Sequence, residues 1–85
     1  MKPRKLLERL LAGQLHNVDF DDFTRLAEAF GFRADRVGGS HRHYHHPRLP
    51  EVLNLQPLRG EAKPYQIRQF LSLVESYNLN LEDKP

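Results

Sequence analysis

The run Phe32-Arg33-Ala34-Asp35-Arg36-Val37-Gly38-Gly39-Ser40-His41-Arg42-His43-Tyr44-His45-His46 decides how this chain folds. Residues 32–37 are mixed in character and lack helical periodicity. Gly38-Gly39 supplies the positive φ angles that a tight hairpin needs. Residues 41–46 then alternate well enough for a strand, and Pro47 and Pro50 bound it with a short turn. Glu51 to Gln56, carrying Val52, Leu53 and Leu55, reads as a third strand.

Helical periodicity takes over on either side. Upstream, Phe23, Leu26, Ala27 and Phe30 repeat at i, i+3, i+4, i+7, the spacing of one buried helix face. Asp19 or Asp21 is placed to cap that helix, because a short carboxylate accepts from the free N–H groups of the first turn. Gly31 is placed to end it. Further upstream, Leu6, Leu7, Leu10 and Leu11 give a first helix over 3–12, closed by Gly13. Downstream, residues 57–63 form a loop containing Gly60. Pro64 suits the first position of a last helix, where its missing N–H costs nothing. Ile67, Phe70, Leu71 and Val74 form the apolar stripe of that helix, Tyr65 is expected to pack, and Asn78 is placed near its end.

The order α-α-β-β-β-α predicts an α+β fold, a three-stranded antiparallel sheet with its last two helices on one face. Without the first helix, this is the α-β-β-β-α order of double-stranded-RNA-binding domains. The first helix reads as an accessory that covers an edge or contacts a partner. At 85 residues the chain fits a single domain. Residues 1–18 read as an N-terminal extension, 19–78 as the core and 79–85 as a tail that frays at Glu82 to Pro85.

Composition narrows the function classes. The chain has no cysteine, which excludes disulfides, thiolate metal sites and a cysteine nucleophile. No apolar run approaches the roughly 20 residues that span a bilayer. Glu8 and Arg9 split the leucines that a signal peptide would keep together, so a soluble cytoplasmic protein is expected. The formal charge is only +2, but it is unevenly spread. Between Arg33 and Arg48 stand four arginines and four histidines against the single Asp35, while acid gathers at Asp19, Asp21, Asp22 and Glu28 and again at Glu75, Glu82 and Asp83. A basic middle between acidic flanks suits a polyanionic partner met through one face.

Strand parity sorts the histidines. With Tyr44 in the core, Arg42 and His46 share its face, while His41, His43 and His45 form an imidazole row on the other. Such a row is open to three readings. His-x-His spacing can place two imidazoles on one metal, but no cysteine or well-placed carboxylate completes a set of four. The histidines can equally be tolerated surface residues. Or they do acid–base chemistry or contact phosphate, since imidazole both takes and gives a proton near neutrality. RNA cleavage uses that ability: a base takes the 2′-OH proton, the oxygen attacks phosphorus, and an acid protonates the departing 5′-oxygen. Nearby arginine or lysine offsets the phosphoryl charge. Spacing does not choose among the three.

Gly39-Ser40-His41-Arg42-His43-Tyr44, set after Phe30-Gly31-Phe32 and Arg36, resembles the Gly-Ser-His-x-x-aromatic run of the HicA toxin family. Leu53-Asn54-Leu55-Gln56-Pro57 and Ala62-Lys63-Pro64-Tyr65-Gln66-Ile67-Arg68-Gln69 are similar to a longer branch of these proteins. The resemblance covers about residues 22–77. It implies a double-stranded-RNA-binding-domain-like fold and a toxin of a type II toxin–antitoxin system. It further implies metal-independent cleavage of mRNA with no cofactor, the family's histidine falling on His41, and a HicB-type antitoxin that covers the site. Compact members place a Pro-His pair near the third strand, where this chain has Gln56-Pro57, and they start near the second helix.

Ser40, His43, His45, Arg59, Lys63 and Arg68 are the candidate RNA contacts. Ser40 either orients His41, donates to phosphate or simply fills a small polar position after the glycine turn. Arg59 and Lys63 flank a helix N-terminus, which favours anions. Arg68, one turn in, either reaches substrate or pairs with Glu61. A non-catalytic RNA-binding module and a protein-interaction domain are the rival functions.

Overall fold

The computed structural model describes residues 1–38 and 41–81, and at 36–38 and 41 it describes the backbone alone. Its elements are α1 (Pro3–Leu11), α2 (Phe20–Ala29), β1 (Arg33–Gly38), β2 (His41–His45), β3 (Val52–Leu55) and α3 (Pro64–Ser76). The three strands form one antiparallel sheet in the order β1-β2-β3. This is the α+β architecture expected, with α2-β1-β2-β3-α3 in the order of a double-stranded-RNA-binding domain. The turn expected at Gly38-Gly39 falls partly outside the described residues, as does Ser40.

Local chemistry explains the element ends. The Asp19 carboxylate accepts from the Asp22 N–H at 3.0 Å and caps α2, with Asp21 and Asp22 favourably placed in the first turn. Gly31 closes α2 at φ 100°, a conformation that a side chain would strain. Pro64 begins α3, and Asn78 follows its end at φ 52°.

Packing converges on Phe70. Its ring meets Phe23 and Phe30 edge-on, each at a centroid distance of 5.5 Å, and Phe32 at 5.9 Å. Tyr44, Leu53 and Leu55 close this core from the sheet. The alternation along β3 leaves Val52 and Asn54 on the opposite, open face.

Helix α1 is part of the same core. Leu6 and Leu10 are buried within it, and the helix packs against α2. The N-terminal ammonium reaches Asp22 at 3.2 Å, and Arg9 donates to the carbonyls of His16 and Asn17, so both ends of the helix are tied down. Leu79, within the segment read as a tail, is also buried, and its N–H donates back to the Val74 carbonyl.

Two further residues depart from simple pattern reading. Tyr65 does not pack: it is 57% exposed, because the inward face of α3's first turns is taken by Gln66, Ile67 and Phe70. His46 shares the face of Tyr44 as parity requires, and there it is a structural group. Its Nδ1 accepts from the Arg48 N–H at 3.1 Å, so its proton sits on Nε2, which donates to the Phe30 carbonyl at 3.0 Å. Its ring also meets Phe32 edge-on at 5.2 Å. His46→Ala strands a buried carbonyl and an N–H, and is expected to lower stability by about 1–3 kcal/mol in urea unfolding. A loss below about 0.5 kcal/mol would show that these bonds contribute little.

Candidate nucleic-acid interface

Strand pairing builds one open sheet face. His43 stands mid-strand and exposed on β2, with Arg36 and Asn54 as its cross-strand neighbours, and His45 lies between Arg33 and Val52. His41 begins β2, paired through its backbone with Gly38, and shares the parity of His43 and His45. At roughly 3.3 Å per residue, His41 lies about 7 Å from His43 and about 13 Å from His45 along the strand. Arg42, on the other face, is half-buried with its guanidinium 5.1 Å from the centre of the Phe20 ring.

The sheet has two unlike ends. At the His41 end, β3 finishes and leads into the 57–63 loop, which is fastened to the start of α2. The Phe20 N–H donates to the Gly60 carbonyl and the Ala62 N–H to the Val18 carbonyl, at 3.0 and 2.8 Å. Both α2 and α3 begin here, so two helix dipoles turn their positive ends to it. Helix α2 has the Asp19 cap and acids in its first turn, whereas α3 has neither a side-chain cap nor an acid. Lys63 is the N-cap residue of α3, Arg59 sits exposed in the loop at φ 52°, and Arg68 is exposed one turn along α3. These three cations and the positive end of the α3 dipole make this the anion-favouring end.

Three side chains gain meaning only from the structure. Gln66 is buried; its Oε1 accepts from the Gln56 N–H at 3.3 Å and its Nε2 donates to the Tyr65 hydroxyl, which fixes α3 against the end of β3. Asp35 sits where the β1–β2 register slips between Ala34 and Arg36. A bulge of this kind re-aims a side chain, and the Asp35 carboxylate faces Nδ1 of His45. That approach is close but not aligned as a hydrogen bond, and it is an ion pair only when the ring is protonated. Tyr77 donates to both Glu51 oxygens at 2.8 and 3.0 Å, and this hydrogen bond holds its phenol above the ordinary value.

Among the described residues, no three His, Asp or Glu side chains converge as a metal-binding set. No described helix is long and apolar enough to cross a membrane.

Comparison with protein-family models gives a match over residues 20–75 to the family described as the HicA toxin of bacterial toxin-antitoxin systems. The chain belongs to the HicA toxin family. The match begins at the first residue of α2 and ends one residue before the end of α3, so it spans the layer of helix, sheet and helix that carries the histidine row. Helix α1 lies outside the region shared with the HicA family. Neither curated proteins nor solved structures gave a match.

Of the candidate contacts, His43 and His45 lie on one sheet face, in the parity class of His41. Arg59 lies in the 57–63 loop, Lys63 is the N-cap residue of α3 and Arg68 is one turn into α3. Tyr44 is 2% exposed, which removes it from direct contact with substrate.

Proposed function

We propose that this HicA-family chain is an endoribonuclease, the toxin of a type II toxin–antitoxin system. It cleaves mRNA without a metal or cofactor, acts in the cytoplasm, and is held inactive by a HicB-type antitoxin. His41 is the catalytic acid or base. The observation that carries this reading is the family match across β2, whose first residue is His41, at the end of the sheet where two helices begin.

The RNA backbone lies over the open face near that end. Arg59, Lys63 and Arg68 hold phosphates beside the positive end of the α3 dipole, and Ser40 orients His41 or donates to phosphate. A proton-transfer group must come within about 2.6–3.2 Å of its proton. A residue about 7 Å along the strand can serve the same phosphate as His41, and one about 13 Å away cannot. Of the candidate partners in proton transfer, His43, His45, Tyr44 and Lys63, spacing sets His45 aside and burial sets Tyr44 aside. His43, on the strand of His41, is the partner proposed, with Lys63 as the alternative, and His45 contacts RNA further along.

Incubating the purified chain with labelled mRNA in EDTA tests the reading. Cleavage products support it. A salt-sensitive mobility shift without products would make the chain a non-catalytic RNA-binding module, and no affinity at all would leave a protein-interaction role. Lys63→Ala is expected to weaken binding of single-stranded RNA and flatten its dependence on log salt by about 0.7, the share of one phosphate contact. An unchanged slope would remove Lys63 from the interface.

A further inference from the structure

The sheet end opposite His41 holds a cavity of about 440 Å³, open to solvent. Phe30 and Leu79, both buried in the core, reach its lining, and Pro47 adds to the apolar wall. The polar groups of the lining are Arg33, His45, His46, Arg48 and Asn80. That volume lies in the lower part of the range of small-molecule pockets, about 300–1,000 Å³, and the mixture of apolar wall and a few polar groups is typical of them.

Charge decides what the cavity takes. Helices α2 and α3 both end here, and their C-terminal carbonyls carry partial negative charge. Two of the basic groups nearby are already bonded to carbonyls: Arg33 donates to those of Glu28 and Phe32, and His46 to that of Phe30. The Asp35 carboxylate adds a negative charge beside His45. A bare phosphate is poorly served by such a site, in contrast to the His41 end. A flat, neutral, hydrogen-bonding ring is well served.

The polar rim has free edges. Nδ1 of His45 is covered, while its side chain is 44% exposed, so the ring presents its Nε2 edge. Asn80 is exposed and offers both a donor and an acceptor. Arg48 is exposed and makes one long bond of 3.5 Å, to the Tyr77 carbonyl, which leaves its planar guanidinium able to stack. Bases of single-stranded RNA are read in this way, splayed out, stacked on aromatic or guanidinium planes and bonded along their edges.

We propose that this cavity is a nucleobase-recognition pocket. It takes one splayed base of the RNA strand lying over the histidine row, with His45 and Asn80 reading its edge and Arg48 covering its face. His45 stands about 13 Å from His41 along β2, so the base read flanks the attacked bond rather than adjoining it. The pocket thereby sets a sequence preference, a claim that rests on the ribonuclease reading, whereas base binding does not.

The test titrates the full chain with each of the four nucleosides and with inorganic phosphate, following backbone amide shifts of Gly31, Arg48 and Asn80. One nucleoside should bind at roughly millimolar affinity and about tenfold better than the weakest. Phosphate should not displace it, and Asn80→Ala should remove the preference. Equal binding of all four, no binding, or displacement by phosphate would overturn the proposal. Cleavage of mRNA by the unmodified chain is scored in parallel. Cleavage without nucleoside binding rejects the pocket alone, and nucleoside binding without cleavage rejects the ribonuclease reading alone.

Discussion

His41→Ala is expected to lower the rate of RNA cleavage by about 10²–10⁴-fold, the usual worth of a positioned general acid or base. The backbone pairing of His41 with Gly38 does not depend on the side chain, so the variant should unfold at the same urea concentration as its parent. His43→Ala should also impair cleavage, because a neighbour about 7 Å along the strand serves the same phosphate. His45→Ala should leave the chemical step largely intact and act on RNA binding instead. A folded His41→Ala protein that cleaves at the parental rate would take the chemistry away from His41.

Phe70→Ala should have the largest effect on stability. Phe70 is fully buried and its ring touches Phe23, Phe30 and Phe32, so truncation opens a cavity where both helices meet the sheet. Removal of a core phenylalanine costs about 3–5 kcal/mol. At about 0.05–0.15 kcal/mol per residue, a chain of 85 residues has roughly 4–13 kcal/mol in total. The variant should therefore show a much lower urea midpoint, and a visible unfolded population if the parent lies near the bottom of that range. A loss under about 1 kcal/mol would mean that the core closes around the gap and that Phe70 is not its hub.

The sequence announces most of this fold because its local signals agree. The Phe23-Leu26-Ala27-Phe30 stripe is buried as its spacing requires, Asp19 caps α2, and Pro64 starts α3. Strand parity around Tyr44 assigns His46 to the core side and His43 to the open side before any contact is known. What escapes the sequence depends on pairing between distant segments. The bulge at Asp35 exists only once β1 is laid against β2, so the meeting of Asp35 with His45 has no signature in spacing. The tie between Gln66 and Gln56, and the common end shared by the starts of α2 and α3, likewise arise from how the loops close. Tyr65 shows the converse: an aromatic residue in a helix is expected inside, but helix phase turns this one outward.

The region matched to the HicA family begins at α2, yet Leu6 and Leu10 of α1 are as deeply buried as the core it covers. Helix α1 thus extends the hydrophobic core outward over α2, and Arg9 and the N-terminal ammonium hold it there.

The central claim, histidine-based cleavage of RNA without a metal, is tested most directly by the chemistry of the product ends formed in EDTA. Attack by the 2′-oxygen, with proton transfer at His41, leaves a 2′,3′-cyclic phosphate on one fragment and a 5′-hydroxyl on the other. Those ends are the predicted result, and they should disappear with His41→Ala. Fragments bearing a 5′-phosphate and a 3′-hydroxyl, or cleavage that stops on chelation, would contradict the account.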